Sequence, residues 1–446
     1  MFSSALVPLF LEFSRNFSKP THLRFLLLMG AAVLTVGRRT VSNMLRTAKG
    51  MARGHASSYH RFFSKRAWSL WPLSRALAEY IIERYHPPGA VPVVFDDTVD
   101  GHKGKKVYGK GCHRDAVRST HSYTAFRWGL KWVALCILVK FPGAKRPWAL
   151  PVLVALYRSK EWNKKHRRRH KTPPELARQL MAVLLHWFPE RKFVSAGDGG
   201  FSTHDLAGFA HRHQSRATLV GRFYPKANLY GPPPKRRSPK GGRPPEKGRK
   251  LASPESVVKR SAPTRLRVSW YGGGSRTVEV VSGTGLWYRT GDGVVPVRWV
   301  FVHDLSGTHR DEYFFSTDPT MTPKEIIETF TGRWSIEVTF QELRAYLGLE
   351  TTRGWTEKTV LRAAPCLFGL YSVVALAYAA LPERQARAGR VQWTGKTEIT
   401  FSDAIAAVRQ QLWRHWVFKQ SRHAVAFSKL PPSAQAFLLD SLTPAA

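Results

Sequence analysis

A chain of 446 residues with 70 lysines and arginines against 30 acidic residues carries a formal charge of +40, yet 43 % of it is hydrophobic. That combination excludes a disordered basic tail and sets the chain apart from ordinary enzymes, leaving a folded protein whose partner is a polyanion, nucleic acid before others. Three scattered cysteines, Cys112, Cys136 and Cys366, exclude a disulfide framework or zinc module and fit a reducing cytosol.

Residues 1–88 read as a helical, basic DNA-binding domain. Thr40 caps a short helix that exposes Ser42, Asn43 and Arg46, a pattern shared by base-reading helices and plain bundle helices. The apolar run Phe25 to Leu34 is too short to span a bilayer, and Leu73 to Arg84 reads as a helix ending before Pro87-Pro88.

A second unit, residues 89–224, opens with Val91 to Phe95, a buried strand that delivers Asp96, Asp97 and Thr98 at its C-terminal end. His102, Lys103, Lys105, Lys106, Lys110 and His113 lie in a glycine-rich stretch that reads as a solvated loop near phosphate. Two apolar runs, Tyr123 to Val139 and Trp148 to Tyr157, read as successive strands, and Lys164, Lys165, Arg167, Arg168 and Arg169 form a charge run suited to a nucleic-acid backbone. Thr172-Pro173-Pro174-Glu175 opens a helix with a capping box. Lys192 to Ala196 is a strand leading into Gly197-Asp198-Gly199, Ser202 to His213 is a helix, and Ala217 to Arg222 a fifth strand. A right-handed crossover makes the first and fourth strands parallel, which gathers Asp97 and Asp198 at one sheet edge. This is the pattern of an α/β fold with a ribonuclease H-like mixed sheet and flanking helices.

Residues 225–318 read as a proline- and arginine-rich linker, GPPPKRRSPKGGRPPEKGRK at its centre, followed by a β-strand insertion. The linker cannot bury a core and is expected to be exposed or disordered. The insertion reads as five strands, Arg265 to Tyr271, Arg276 to Val281, Leu286 to Arg289, Val294 to His303 and Tyr313 to Ser316.

The second part of the core, 319–385, holds the stretch Phe330 to Glu350, which reads as one helix. Ile336, Phe340, Leu343 and Leu347 form its apolar stripe, while Arg333, Glu337 and Arg344 share a second face, one carboxylate between two guanidiniums. Ala363 to Leu381 is long enough to cross a membrane but contains Pro365, Gly369, Ser372 and two tyrosines, and reads as a buried helix. Residues 386–446 form a C-terminal helical region.

Together, Asp96-Asp97-Thr98, Gly197-Asp198-Gly199, Phe314-Phe315-Ser316-Thr317-Asp318 and Arg333-Trp334-Ser335-Ile336-Glu337 resemble the DDE-superfamily transposases of bacterial insertion sequences, in the group with a β-strand insertion and a Tyr-Arg-Glu-Lys signature. The resemblance covers Val91 to Leu381. It implies that Asp97, Asp198 and Glu337 are catalytic and hold Mg²⁺, with Mn²⁺ able to substitute. Asp96 competes with Asp97, which is preferred because the family pattern has threonine or serine directly after the first aspartate. Arg333 matches the signature arginine; Phe330 stands at the tyrosine position and Arg344 at the lysine position, and Arg333 and Arg344 would bind DNA by holding phosphates that the carboxylates alone would repel. In relatives a tryptophan of the insertion stacks on a flipped base, for which Trp287 and Trp299 are the candidates here, against a plain core role.

The function implied is a transposase that binds terminal inverted repeats, cleaves DNA and transfers the 3′ ends. Its partners would be double-stranded DNA, at element ends and target, and a second copy in the synaptic complex, with no membrane and no small-molecule substrate. Its place would be the cytoplasm, at the nucleoid. A repurposed DNA-binding protein and a nuclease without strand transfer are the alternatives. On this reading Arg333→Ala weakens cleavage or end binding and leaves the fold intact.

Overall fold

A computed structural model of the chain describes residues 4–115, 118–120, 122–234, 245–388, 390, 394–419 and 424–444. The linker expected to be exposed or disordered from residue 225 is corrected at its start, where Ala227 and Leu229 are buried and Leu229–Tyr230 pairs into the sheet; for residues 235–244 the expectation lies outside the described residues. Five helices come first: α1 (Val7–Ser14), α2 (Lys19–Leu34), α3 (Val41–Thr47), α4 (Ala56–Ser64) and α5 (Trp71–Tyr85). Thr40 caps α3 by accepting from the Asn43 N–H, as its sequence predicts.

The sheet follows as β1 (Ala90–Gly101), β2 (Gly111–Arg114), β3 (Phe126–Val139) and β4 (Trp148–Tyr157), then α6 (Lys160–Lys165), α7 (Pro173–Trp187), β5 (Lys192–Gly197), α8 (His204–Arg212), β6 (Ala217–Arg222) and the short β7 (Leu229–Tyr230). Strand β3 runs antiparallel to both β1 and β4, whereas β5 lies parallel to β1 and β6 parallel to β5. Three antiparallel strands followed by two parallel ones, joined through helices, make the expected ribonuclease H-like order. Helix α7 begins with the predicted capping box, Thr172 and Glu175 each satisfying a backbone N–H of the other.

Next come α9 (Pro254–Val258), β8 (Thr264–Ser269), β9 (Ser275–Arg289), β10 (Gly293–Asp304) and β11 (Glu312–Ser316). The two short strands expected at 276–281 and 286–289 are one strand, because β10 pairs with β9 without interruption from Asp304 to Gly293. The insertion also extends the main sheet, since β11 pairs antiparallel with β6.

The chain closes with α10 (Pro323–Gly332), α11 (Ser335–Leu347), α12 (Glu357–Ala379), α13 (Glu383–Ala388), α14 (Phe401–Leu412), α15 (Ala424–Ser428) and α16 (Pro432–Ser441). Helix α12 is long and apolar enough to cross a membrane, but Leu367, Phe368, Tyr371, Val374 and Leu376 bury it in the core. It also ties the N-terminal helices down: the Arg362 guanidinium donates to the carbonyls of Trp68 at 2.7 Å and Arg66 at 2.9 Å.

Two expectations need correction. Strand β1 does not end at Phe95 but continues to Gly101, because β3 pairs with it from Val93 to Gly101. Asp96 and Asp97 therefore sit within a strand and alternate between its faces. The stretch Phe330 to Glu350 is two helices that meet at Arg333 and Trp334, where the α10 ladder stops.

Candidate active site

Phe95 of β1 is level with Gly197 of β5, so Asp198 stands one step beyond the last pair, level with Asp96. Gly197 is required by close approach: a Cβ there would lie 2.3 Å from the Phe95 ring and 2.7 Å from the Phe201 side chain. Asp198 sits in the tight turn that follows, its Oδ1 accepting from the Gly200 N–H at 2.9 Å. Gly197→Ala is expected to cost about 1–3 kcal/mol through overpacking and to displace the aspartate. Chemical denaturation measures it, and an unchanged midpoint would contradict this packing.

Arg333 joins the site across the fold. Its buried guanidinium donates to Asp96 Oδ2 at 3.0 Å and to Glu337 Oε1 at 2.8 Å, linking β1 to the first turn of α11. Asp97 points the other way and pairs with Lys131 Nζ of β3 at 2.9 Å. The contact with the glutamate helix thus belongs to Asp96, where the sequence favours Asp97. Lys131 was missed, although its charge, after that of Arg127, interrupts the apolar run and is the available signal.

Burial pushes the Asp96 carboxyl up to about 8; Arg333 opposes the shift and the Asp198 and Asp97 carboxylates add to it. Asp97 is also raised, by burial first, against the pull of Lys131, with Asp198 adding again. All three aspartates therefore share one electrostatic field. Among the described residues, however, no three His, Cys, Asp or Glu side chains already form a metal-holding group. Arg333 and Lys131 hold the carboxylate oxygens instead.

Arg344 does not share Glu337. Seven residues, a rise of about 10 Å, separate them. Arg344 donates to the Thr98 hydroxyl and ion-pairs with Glu350 at 3.2 Å. Glu350 accepts both arms of Arg127, at 2.8 and 2.7 Å. Glycine at 348, with φ 63°, ends α11 in the left-handed conformation as the chain passes to Glu350.

Phe330, at the signature tyrosine position, is fully buried, stacked on Phe314 at 4.3 Å with the Arg333 guanidinium 5.5 Å from its ring. It supports Arg333 by a cation–π contact where a tyrosine would offer a hydroxyl. Trp299 is buried. Trp287 is 7 % exposed, packs on His204, Phe223 and Phe315, and lines a hollow of about 490 Å³ with Tyr224, Lys226 and Asn228.

Lys164, Lys165, Arg167, Arg168 and Arg169 are all exposed, along α6 and the turn after it. The stretch between β1 and β3 is not simply solvated. His102 is buried against Asp100 at 3.2 Å, and burial pulls the His113 imidazole down to about 4.

A family model described as DDE superfamily endonuclease matches residues 12–277, and one described as archaeal putative transposase ISC1217 matches residues 265–370. No curated protein matches the chain. Among solved structures, a piggyBac transposase synaptic complex with hairpin DNA is similar over 96 % of this chain and 77 % of that one, at 12 % identity and a TM-score of 0.38.

Proposed function

Because the chain belongs to the DDE superfamily of endonucleases, we propose that it is a transposase that binds the inverted repeats of its element, hydrolyses the DNA strands at those ends and joins the freed 3′ ends to target DNA. The observation that carries this reading is the meeting of three elements around Arg333, whose guanidinium bonds Asp96 of β1 and Glu337 of α11, with the Asp198 carboxylate after the adjacent parallel strand acting on it through its charge. The +40 charge supplies the affinity for duplex DNA.

Endonucleases of this superfamily use divalent metal ions. The residues present fit such an ion in donor type, being hard carboxylate oxygens whose mutual repulsion a cation relieves. We assign Asp97, Asp198 and Glu337 to hold it. A second reading puts Asp96 in place of Asp97, and the Arg333 bridge to Glu337 favours it. Bound Mg²⁺, or Mn²⁺ in its place, supplies Lewis-acid stabilisation of the attacking and leaving oxygens.

The chain's own residues do the rest. Arg333 orients Glu337 and offsets the charge of Asp96; Lys131 does the same for Asp97 and carries a positive charge into the site. Arg344, tied to Thr98 and Glu350, braces β1 against α11 and is best placed as a positioning residue. The exposed Lys164, Lys165, Arg167, Arg168 and Arg169 contact phosphates, and Trp287 is the residue of the insertion placed to meet a base at its hollow. The helices of residues 1–88 bind element ends, and two copies act together when two ends are paired. The protein works where DNA is, at the nucleoid.

The test is excision in cells of a marker placed between the element's own ends. Excision with reinsertion elsewhere, bordered by short direct duplications, is the expected result. Binding of those ends with no strand cut by the wild type would leave a DNA-binding protein without transposase activity.

A further inference from the structure

Strand β3 outruns the sheet. Its pairing with β1 reaches only back to Gly129, opposite Gly101, and its first three residues pair with β2 alone: Trp128 with Cys112, Arg127 with His113, Phe126 with Arg114. The result is a two-stranded ribbon projecting past the end of β1.

One face of this ribbon is apolar and open. Phe126 is 67 % exposed and Trp128 61 %, with Tyr123 at 66 % just before the strand. Rings this large are ordinarily among the most buried groups, so two of them on a projecting ribbon, with a third just before it, are not core that was left uncovered. Basic groups alternate with them. Lys110 Nζ lies 5.5 Å from the Trp128 ring, and Arg114, opposite Phe126, is exposed. Lys103, Lys105 and Lys106 are exposed on the loop between β1 and β2, which Lys110 pins by donating to the Gly104 carbonyl at 2.8 Å.

The ribbon leads to the carboxylates. Lys131, which holds Asp97, lies on the same strand three residues from Trp128 and five from Phe126, roughly 10 and 17 Å along it. By alternation Trp128 and Phe126 share the sheet face of Asp96 and Thr98, the face on which Arg333 and Arg344 approach.

We propose that the β2–β3 ribbon is a stacking platform for unpaired DNA bases next to the cleavage site, with Trp128 and Phe126 as the stacking rings and Lys110 and Arg114 holding the adjoining phosphates. Aromatic rings interleaved with cations suit a single strand, because every base has a π-face and every linkage a negative charge. A second copy of this chain is a poor occupant, since the same lysines and arginines would face each other. The proposal rests on the DNA-cutting reading, and adds that the strand being cut is held in unpaired form along the ribbon.

The experiment compares the full-length wild type with Phe126→Ala/Trp128→Ala and with Trp128→Phe. Affinity is measured for a single-stranded oligonucleotide carrying 2-aminopurine and for the same sequence as a duplex, with sedimentation to follow association. The rings are exposed, so the fold has no need of them, and thermal unfolding confirms it. Expected is a loss of about tenfold in single-strand affinity for each ring removed, with the fluorescence quenching of 2-aminopurine lost, duplex affinity unchanged and Trp128→Phe retaining both. Equal single-strand binding by wild type and double variant overturns the platform while duplex binding leaves the transposase reading standing. A change in self-association without a change in single-strand binding assigns the ribbon to a partner copy and also overturns it.

Discussion

Asp198→Asn and Glu337→Gln are each expected to lower DNA cleavage by about 10³-fold or more while leaving DNA binding in place. An amide keeps the oxygen donor but removes the charge that a hard divalent cation requires, and metal stabilisation of the reacting oxygens is worth several kcal/mol, with 1.36 kcal/mol for each tenfold. Neither change should unfold the protein. The Asp198 turn needs only an oxygen to accept from Gly200, and the Glu337 side chain is 40 % exposed. Asp97→Asn and Asp96→Asn separate the two readings of β1: the one that matches the loss at 198 identifies the metal-holding aspartate. Full cleavage by either the 198 or the 337 variant removes the carboxylate assignment.

At pH 9, where Asp96 of the wild type is ionised, Arg333→Leu is expected to cost about 3 kcal/mol of stability, the lower end for breaking a buried ion pair, because Glu337 remains partly solvated whereas Asp96 does not. This departs from the expectation that removing Arg333 leaves the fold intact; its burial between β1 and α11 gives it a structural role. The deficit grows with pH. Asp96 in the native wild type titrates at about 8, above its unfolded value, so its contribution is present below the ordinary carboxyl range and lost as pH rises through about 8. Arg333 holds that value down, so without it Asp96 titrates higher still and the variant continues to lose stability above pH 8, where the wild type's loss from this group levels off. Denaturant midpoints of both proteins at pH 6 and pH 9 measure this difference. A gap that is constant with pH means Asp96 is not the partner that matters, and Asp96→Asn added to Arg333→Leu should close most of it.

How much of this was legible in the sequence follows from the range of each interaction. The strand order was readable because apolar runs, a capping box and a Gly-Asp-Gly turn are local signals, and the right-handed crossover does the rest. Glu337 beside Arg333 was readable from helical spacing, and the pair survives the break between α10 and α11. The partners of Arg344 were not, since Glu350 lies beyond the left-handed turn at Gly348 and Arg127 on a distant strand, outside any spacing rule. Strand β2 was hidden as well. Gly-Cys-His-Arg has little strand propensity and is held by its pairing with β3, and the lysines around it read as a solvated loop. The choice between Asp96 and Asp97 turns on which face of β1 meets α11, and adjacent residues of one strand give no local sign of that.

The central claim is metal-dependent strand cleavage at this carboxylate site. It is tested most directly by single-turnover cleavage of a labelled duplex carrying the element's own end, by wild type and Asp198→Asn, with Mg²⁺ and with chelator. Cleavage by wild type only in Mg²⁺, and none by the variant that still binds the same duplex, is the predicted result. Cleavage that persists in chelator, or that Asp198→Asn performs at the wild-type rate, contradicts it.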